Sequence, residues 1–71
     1  MTIRDLIEQF EIQGAYSIKR WRDDWNDYEK FAEGEEFEYE KHKFSEDCLN
    51  TKITYMYATC GVLNIELEEE N

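Results

Sequence analysis

An α+β fold, one amphipathic helix packed on a small antiparallel sheet of about four strands, is predicted by three patterns in the sequence. Ile3, Leu6, Ile7 and Phe10 fall at i, i+3, i+4 and i+7, the spacing of one apolar helical stripe. Ile53, Tyr55 and Tyr57 alternate with Thr54, Met56 and Ala58, and Leu63, Ile65 and Leu67 alternate with Asn64, Glu66 and Glu68, the period of half-buried strands. Between helix and hairpin, aromatic-rich runs are punctuated by Asp, Asn and Gly, the residues of turns.

Each element has its own local reason. Thr2 offers an N-cap hydroxyl, and Asp5 three residues later puts an acid where a capping box and the helix dipole favour one. Gln13-Gly14 marks the end of this N-terminal helix. Ala15 to Arg22, with Tyr16 and Ile18, reads as the first strand, closed by the turn cluster Asp23-Asp24 and Asn26-Asp27. The middle admits one long bent strand or two short ones, Tyr28 to Ala32 and the alternating Glu36-Phe37-Glu38-Tyr39-Glu40, broken at Gly34. Ser45 to Asn50 reads as a single helical turn with Ser45 as cap and acids behind it. Thr59-Cys60-Gly61 is the tight turn of a C-terminal β-hairpin, with glycine supplying positive φ. The 71 residues make one domain, 1–71, with a thin core, and residues 68–71 are expected as a solvated acidic tail.

Charge narrows the functional classes. The chain has 18 acidic and 8 basic residues and a formal charge of −10, yet 15% aromatics, more than a disordered acidic chain carries. No apolar run approaches the roughly 18 residues a membrane helix needs, and no basic-then-apolar start marks secretion, so a cytoplasmic protein with no membrane partner is expected. Cys48 and Cys60 are too few for a disulfide scaffold and are not spaced as a redox or zinc pair, which predicts reduced thiols. Direct nucleic-acid binding is also disfavoured, because phosphate contact relies on clustered Lys and Arg.

No catalytic spacing is present, so the chain is read as a non-enzyme without metal or cofactor. His42 lies between Lys41 and Lys43 without an orienting partner, and an exposed strand position accounts for it. His42, Cys48 and Cys60 lack the paired spacing of a zinc knuckle. The run Asp23 to Asp27 lacks the glycine and distant glutamate of a calcium loop and reads as a solvated turn.

What remains is an acidic and aromatic binding surface. Residues 1–34 carry 8 acids and 5 bases, whereas residues 35–71 carry 10 acids and 3 bases. Glu35, Glu36, Glu38 and Glu40, with Glu46 and Asp47, are the candidate contact carboxylates. On alternate strand positions they would stand about 6–7 Å apart, like the phosphates of one nucleic-acid strand. Trp21 and Trp25 are the candidate anchors, since exposed tryptophan dominates many interfaces, although most of the aromatics are expected in the core. The partner expected is the basic surface of a nucleic-acid-handling protein. The alternative is an accessory or regulatory protein that forms a homodimer, hiding an edge strand, or regulates another protein, with its acidity serving solubility.

The opening Thr2 to Tyr16, with Lys52 to Tyr57 and Gly61 to Ile65, resembles small acidic proteins carried on phages and other mobile elements of Gram-positive bacteria. That resemblance spans most of the chain and carries no catalytic motif. It implies an inhibitor of host defence, of the anti-CRISPR or anti-restriction kind that mimics DNA, and it transfers no functional residue.

Overall fold

Thr2 opens the fold as an N-cap: its hydroxyl accepts from the Asp5 N–H at 3.2 Å, and Asp5 Oδ2 accepts from the Thr2 N–H at 3.0 Å. This capping box starts helix α1, Ile3–Gln9. In the computed structural model, which describes residues 1–69, strands β1 (Ala15–Arg22) and β2 (Asp27–Gly34) follow. Next come α2 (Phe37–Glu40), a 3₁₀ turn (Lys41–Lys43) and α3 (Glu46–Asn50), capped by Ser45. The hairpin β3 (Ile53–Thr59) and β4 (Val62–Leu67) closes the order. Of the expected acidic tail, Glu68 and Glu69 are exposed, while Glu70 and Asn71 lie outside the described residues.

The class is α+β as predicted, but the sheet is mixed. Its order is β2-β1-β4-β3, with β1 antiparallel to β2, β3 antiparallel to β4, and β1 parallel to β4. Alternation reports which residues share a face and is silent on strand direction, so the sheet departs from the antiparallel one that the sequence predicts. The hairpin inserts with β4 inward because β4 carries the apolar residues that fit β1: Tyr16 faces Leu63, and Ile18 faces Ile65. β3 is left as the edge.

Glu36 to Glu40 also departs from its predicted form. The alternating pattern predicts a strand, yet Phe37–Glu40 is a helical turn with Glu36 as its N-cap. Phe37 is fully buried and sits edge-on to Tyr16 and Phe44, with ring centroids 5.3 and 5.5 Å away, whereas Tyr39 is 76% exposed. A strand would send both rings to one face; the helical turn separates them. His42 accordingly lies in the 3₁₀ turn rather than on a strand. The predicted helical stripe is also narrower than expected, since α1 ends at Gln9 and Phe10, its C-cap, is exposed.

Ile3, Leu6, Tyr16, Ile18, Phe37, Cys48, Ile65 and Leu67 form the core between the helices and one sheet face. Arg20 is buried beside them, paired with Glu29 at 3.0 Å and stacked over the Phe31 ring at 4.7 Å. By strand alternation, Ser17, Lys19, Trp21, Asn64 and Glu66 point to the other face, which no helix among the described residues covers. Phe10, Trp25, Tyr28, Tyr39, Tyr55 and Tyr57 are all exposed, so most of the aromatics lie outside the core that was expected to hold them. Among the described residues no helix is long and apolar enough to cross a membrane.

Candidate functional site

The carboxylates singled out in the sequence do not form a row. Glu38 is turned inward, accepting from the Ile12 N–H at 2.8 Å and from Lys41 Nζ at 2.7 Å. The Lys41 hydrogen bond, helped by Ile12, holds the Glu38 carboxyl below the usual range. Glu40 accepts the Tyr16 hydroxyl at 3.0 Å and the Glu36 N–H at 3.2 Å. These two glutamates therefore brace α2 against β1 and the α1–β1 connection. Glu46 pairs with Arg4 at 2.7 Å, bridging α3 to α1. Glu35, Glu36 and Asp47 are exposed.

The tryptophans are also separated in role. Trp21 donates its indole N–H to Asp23 at 2.6 Å and packs edge-on against Tyr28 at 5.2 Å, on the open sheet face. Trp25 lies in the β1–β2 turn, 53% exposed, with the Arg22 guanidinium over its ring at 4.7 Å. Trp21 and Tyr28 are register partners across β1 and β2, which fixes the first ring in place.

Most of the cations are used internally. Arg4 pairs with Glu46, Arg20 with Glu29, Arg22 with Asp24 and Glu29, Lys30 with Glu33, and Lys41 with Glu38. Asp24 and Glu29 are both held below the usual carboxylate range, chiefly by hydrogen bonds from Arg22. The negative charge left over therefore falls on carboxylates without internal partners.

Three of these share one cleft. At the C-terminal end of β1, Trp21, Thr54, Tyr55, Leu67, Glu66, Glu68 and Glu69 enclose a volume of about 370 Å³. Trp21 on β1 and Tyr55 on β3 stand on either side of β4 and its acidic extension, because β4 runs between β1 and β3. Among the described residues, Glu66, Glu68 and Glu69 make no ion pair. Carboxylates between two aromatic rings suit a guanidinium or an ammonium group, which gains charge-assisted hydrogen bonds and ring contact together.

Of the predicted site residues, this cleft contains only Trp21. Tyr55 and Glu66 are neighbours through the β3–β4 register, which the hairpin pattern made readable. Their meeting with Trp21 depends on the parallel β1–β4 pair, for which the sequence carries no local signal. The described residues bring no group of three His, Cys, Asp or Glu side chains into metal-binding reach, and Cys48 is buried while Cys60 sits exposed in the hairpin turn. No known family model matches the chain, and no curated protein or solved structure matches it at a significant level.

Proposed function

We propose that the chain is a non-enzymatic binding protein that blocks a nucleic-acid-handling protein by occupying its basic surface, in the manner of a DNA-mimicking anti-restriction or anti-CRISPR inhibitor. The observation that supports this reading is the cleft of Trp21 and Tyr55 around Glu66, Glu68 and Glu69 on a chain of charge −10 whose arginines are paired internally. Long-range attraction speeds encounter with a basic surface, and an arginine or lysine seated between the rings slows release. Glu35, Glu36 and Asp47 add exposed negative charge, Glu46 is exposed but paired with Arg4, and Glu38 and Glu40 act mainly within the fold.

Affinity capture from cell lysate with the chain as bait, at low and high salt, tests this when each recovered protein is assayed for DNA binding with and without the chain. Salt-sensitive recovery and loss of DNA binding are expected, both abolished by Glu66→Lys with Glu68→Lys. Recovered proteins that hold DNA equally well in the presence of the chain sink the reading.

A further inference from the structure

The two edges of the sheet are treated differently. β2 carries Asp27, Glu29, Lys30 and Glu33, and Phe31 is an extra residue between the register pairs Ile18–Ala32 and Lys19–Lys30. Charges and a bulge are the usual means of keeping an edge from pairing. β3 has neither a charge nor a proline, and no residue between Lys52 and Glu66 is charged, in a chain where 37% of residues are. Its single irregularity falls at Thr54, near the strand's start.

β3 is also bare on both faces. Every residue from Thr54 to Thr59 is exposed, with Tyr55 at 67%, Met56 at 48% and Tyr57 at 41%. Among the described residues, only the beginning of this edge is covered: the Ile53 N–H donates to the Met1 carbonyl at 2.7 Å, and Thr2 bridges Lys52. Beyond that, the backbone direction follows from the turn. Cys60 and Gly61 both have positive φ, 51° and 77°, and form a two-residue hairpin loop. Such a loop hydrogen-bonds the flanking pair Thr59–Val62, so the N–H and C=O groups of Ala58 and Met56 point away from β4 into solvent.

We propose that β3 is a homodimer edge, pairing antiparallel with β3 of a second copy to make one continuous eight-stranded sheet. With Tyr57 on the two-fold axis, Met56 of each copy lies opposite Ala58 of the other, and their outward groups make four backbone hydrogen bonds. In this register Thr59 of one copy lies opposite Tyr55 of the other and Cys60 opposite Thr54, so strand pairing stops short of the stretch that Met1 and Thr2 already cover. Charge selects the occupant: no residue of β3 is charged, so a second copy sets one neutral strand against another, whereas the carboxylates that suit a basic partner stand on β4 and its extension, away from the β3 edge. Pairing at this edge is isologous and closes at two chains, because the charged, bulged β2 edge does not extend it. This inference goes beyond the binding role proposed above and does not depend on it.

Sedimentation of the full chain under reducing conditions, across submillimolar concentrations and at low and high salt, is the test. A dimer of twice 8.7 kDa is expected. High salt strengthens it, because screening weakens the repulsion between two acidic chains, which is opposite to the salt response of binding to a basic surface. Ala58→Pro removes an outward N–H without breaking a β3–β4 hydrogen bond and should weaken the dimer by about tenfold or more. Met56→Lys serves the same purpose if the proline variant fails to fold, and Tyr39→Ala on the helical turn is the control. In a Cys60→Asn background, Tyr57→Cys should form an interchain disulfide on oxidation, and Tyr55→Cys should not. A monomer under all conditions overturns the proposal, as does a dimer that salt dissociates, that both β3 variants leave intact, or that grows into larger species.

Discussion

The Tyr16 hydroxyl donates to Glu40 Oε1 at 3.0 Å, fastening β1 to a helical turn that begins 21 residues later. This bond explains why a carboxylate from the most acidic-looking segment faces inward. Tyr16→Phe keeps the ring packing against Phe37 and Phe44 and loses only the hydroxyl, so a cost of about 1–1.5 kcal/mol is expected in urea denaturation. Burial, followed by the Glu40 hydrogen bond, pushes the Tyr16 phenol up from 10.0 to about 12. A raised folded-state value means this contribution is complete below pH 10 and lost as pH climbs toward about 12. The Tyr16→Phe variant should lack that alkaline decline.

Gly34 stands beside the same carboxylate, and a Cβ added there would collide with the Glu40 side chain. Gly34→Ala must swing the Glu40 carboxylate, the far end of a flexible side chain, away from its hydrogen bonds to Tyr16 and Glu36, at a cost of about 1 kcal/mol. Thermal melts of Gly34→Ala, Glu40→Ala and the double variant check this. The double variant should be more stable than the sum of the single losses predicts, because shortening Glu40 opens the space.

Glu29 receives both Arg20 and Arg22 at 3.0 Å. Since Arg20 is buried, Glu29→Gln should cost about 2 kcal/mol at neutral pH. The Arg22 hydrogen bond is the main reason the Glu29 carboxyl lies below the usual range. A lowered folded-state value gives stability that is present above the ordinary carboxylate range and lost as pH falls through the lowered one. Denaturation midpoints of wild type and variant should therefore converge in strong acid.

The two thiols should separate by reactivity. Cys48 is 2% exposed, and burial, with the neighbouring Asp47 charge, pushes its thiol up to about 11. Cys60 is exposed in the hairpin turn. Mass spectrometry after brief alkylation at mildly alkaline pH should find one modified cysteine, Cys60, and both only after denaturation.

Trp21 reports on the cleft if the proposed function holds. In a Trp25→Phe background, a short arginine-rich peptide should change Trp21 fluorescence saturably, with affinity falling as salt rises. Glu66→Gln with Glu68→Gln should weaken that binding about tenfold or more. An unchanged affinity removes the cleft from the binding surface.

Local chemistry determined much of the secondary structure. Thr2 and Asp5 cap α1 within four residues of chain, Ser45 caps α3, Ala15 to Arg22 is β1 to the residue, and Cys60-Gly61 turns the hairpin. Capping bonds and positive-φ turns are satisfied by near neighbours, so residue type alone carries them. The net charge and the lack of charge along β3 were equally fixed by composition. The candidate contact residues fared differently, because whether a carboxylate is free depends on which cation or N–H folding brings beside it.

Tertiary packing decided three things that no local pattern encodes. It ran β4 parallel to β1, bringing Leu63, Ile65 and Leu67 into register with Tyr16, Ile18 and Arg20 on the core face, a direction that alternation within a strand does not encode. It coiled Phe37–Glu40 into a helical turn, because one ring had to enter the Tyr16–Phe44 cluster while Tyr39 stayed in water. Finally, it set Trp21, Tyr55 and Glu66 around one cleft. A sequence specifies its short-range hydrogen bonds directly, whereas the pairing of distant segments is settled only when one shared core must be filled.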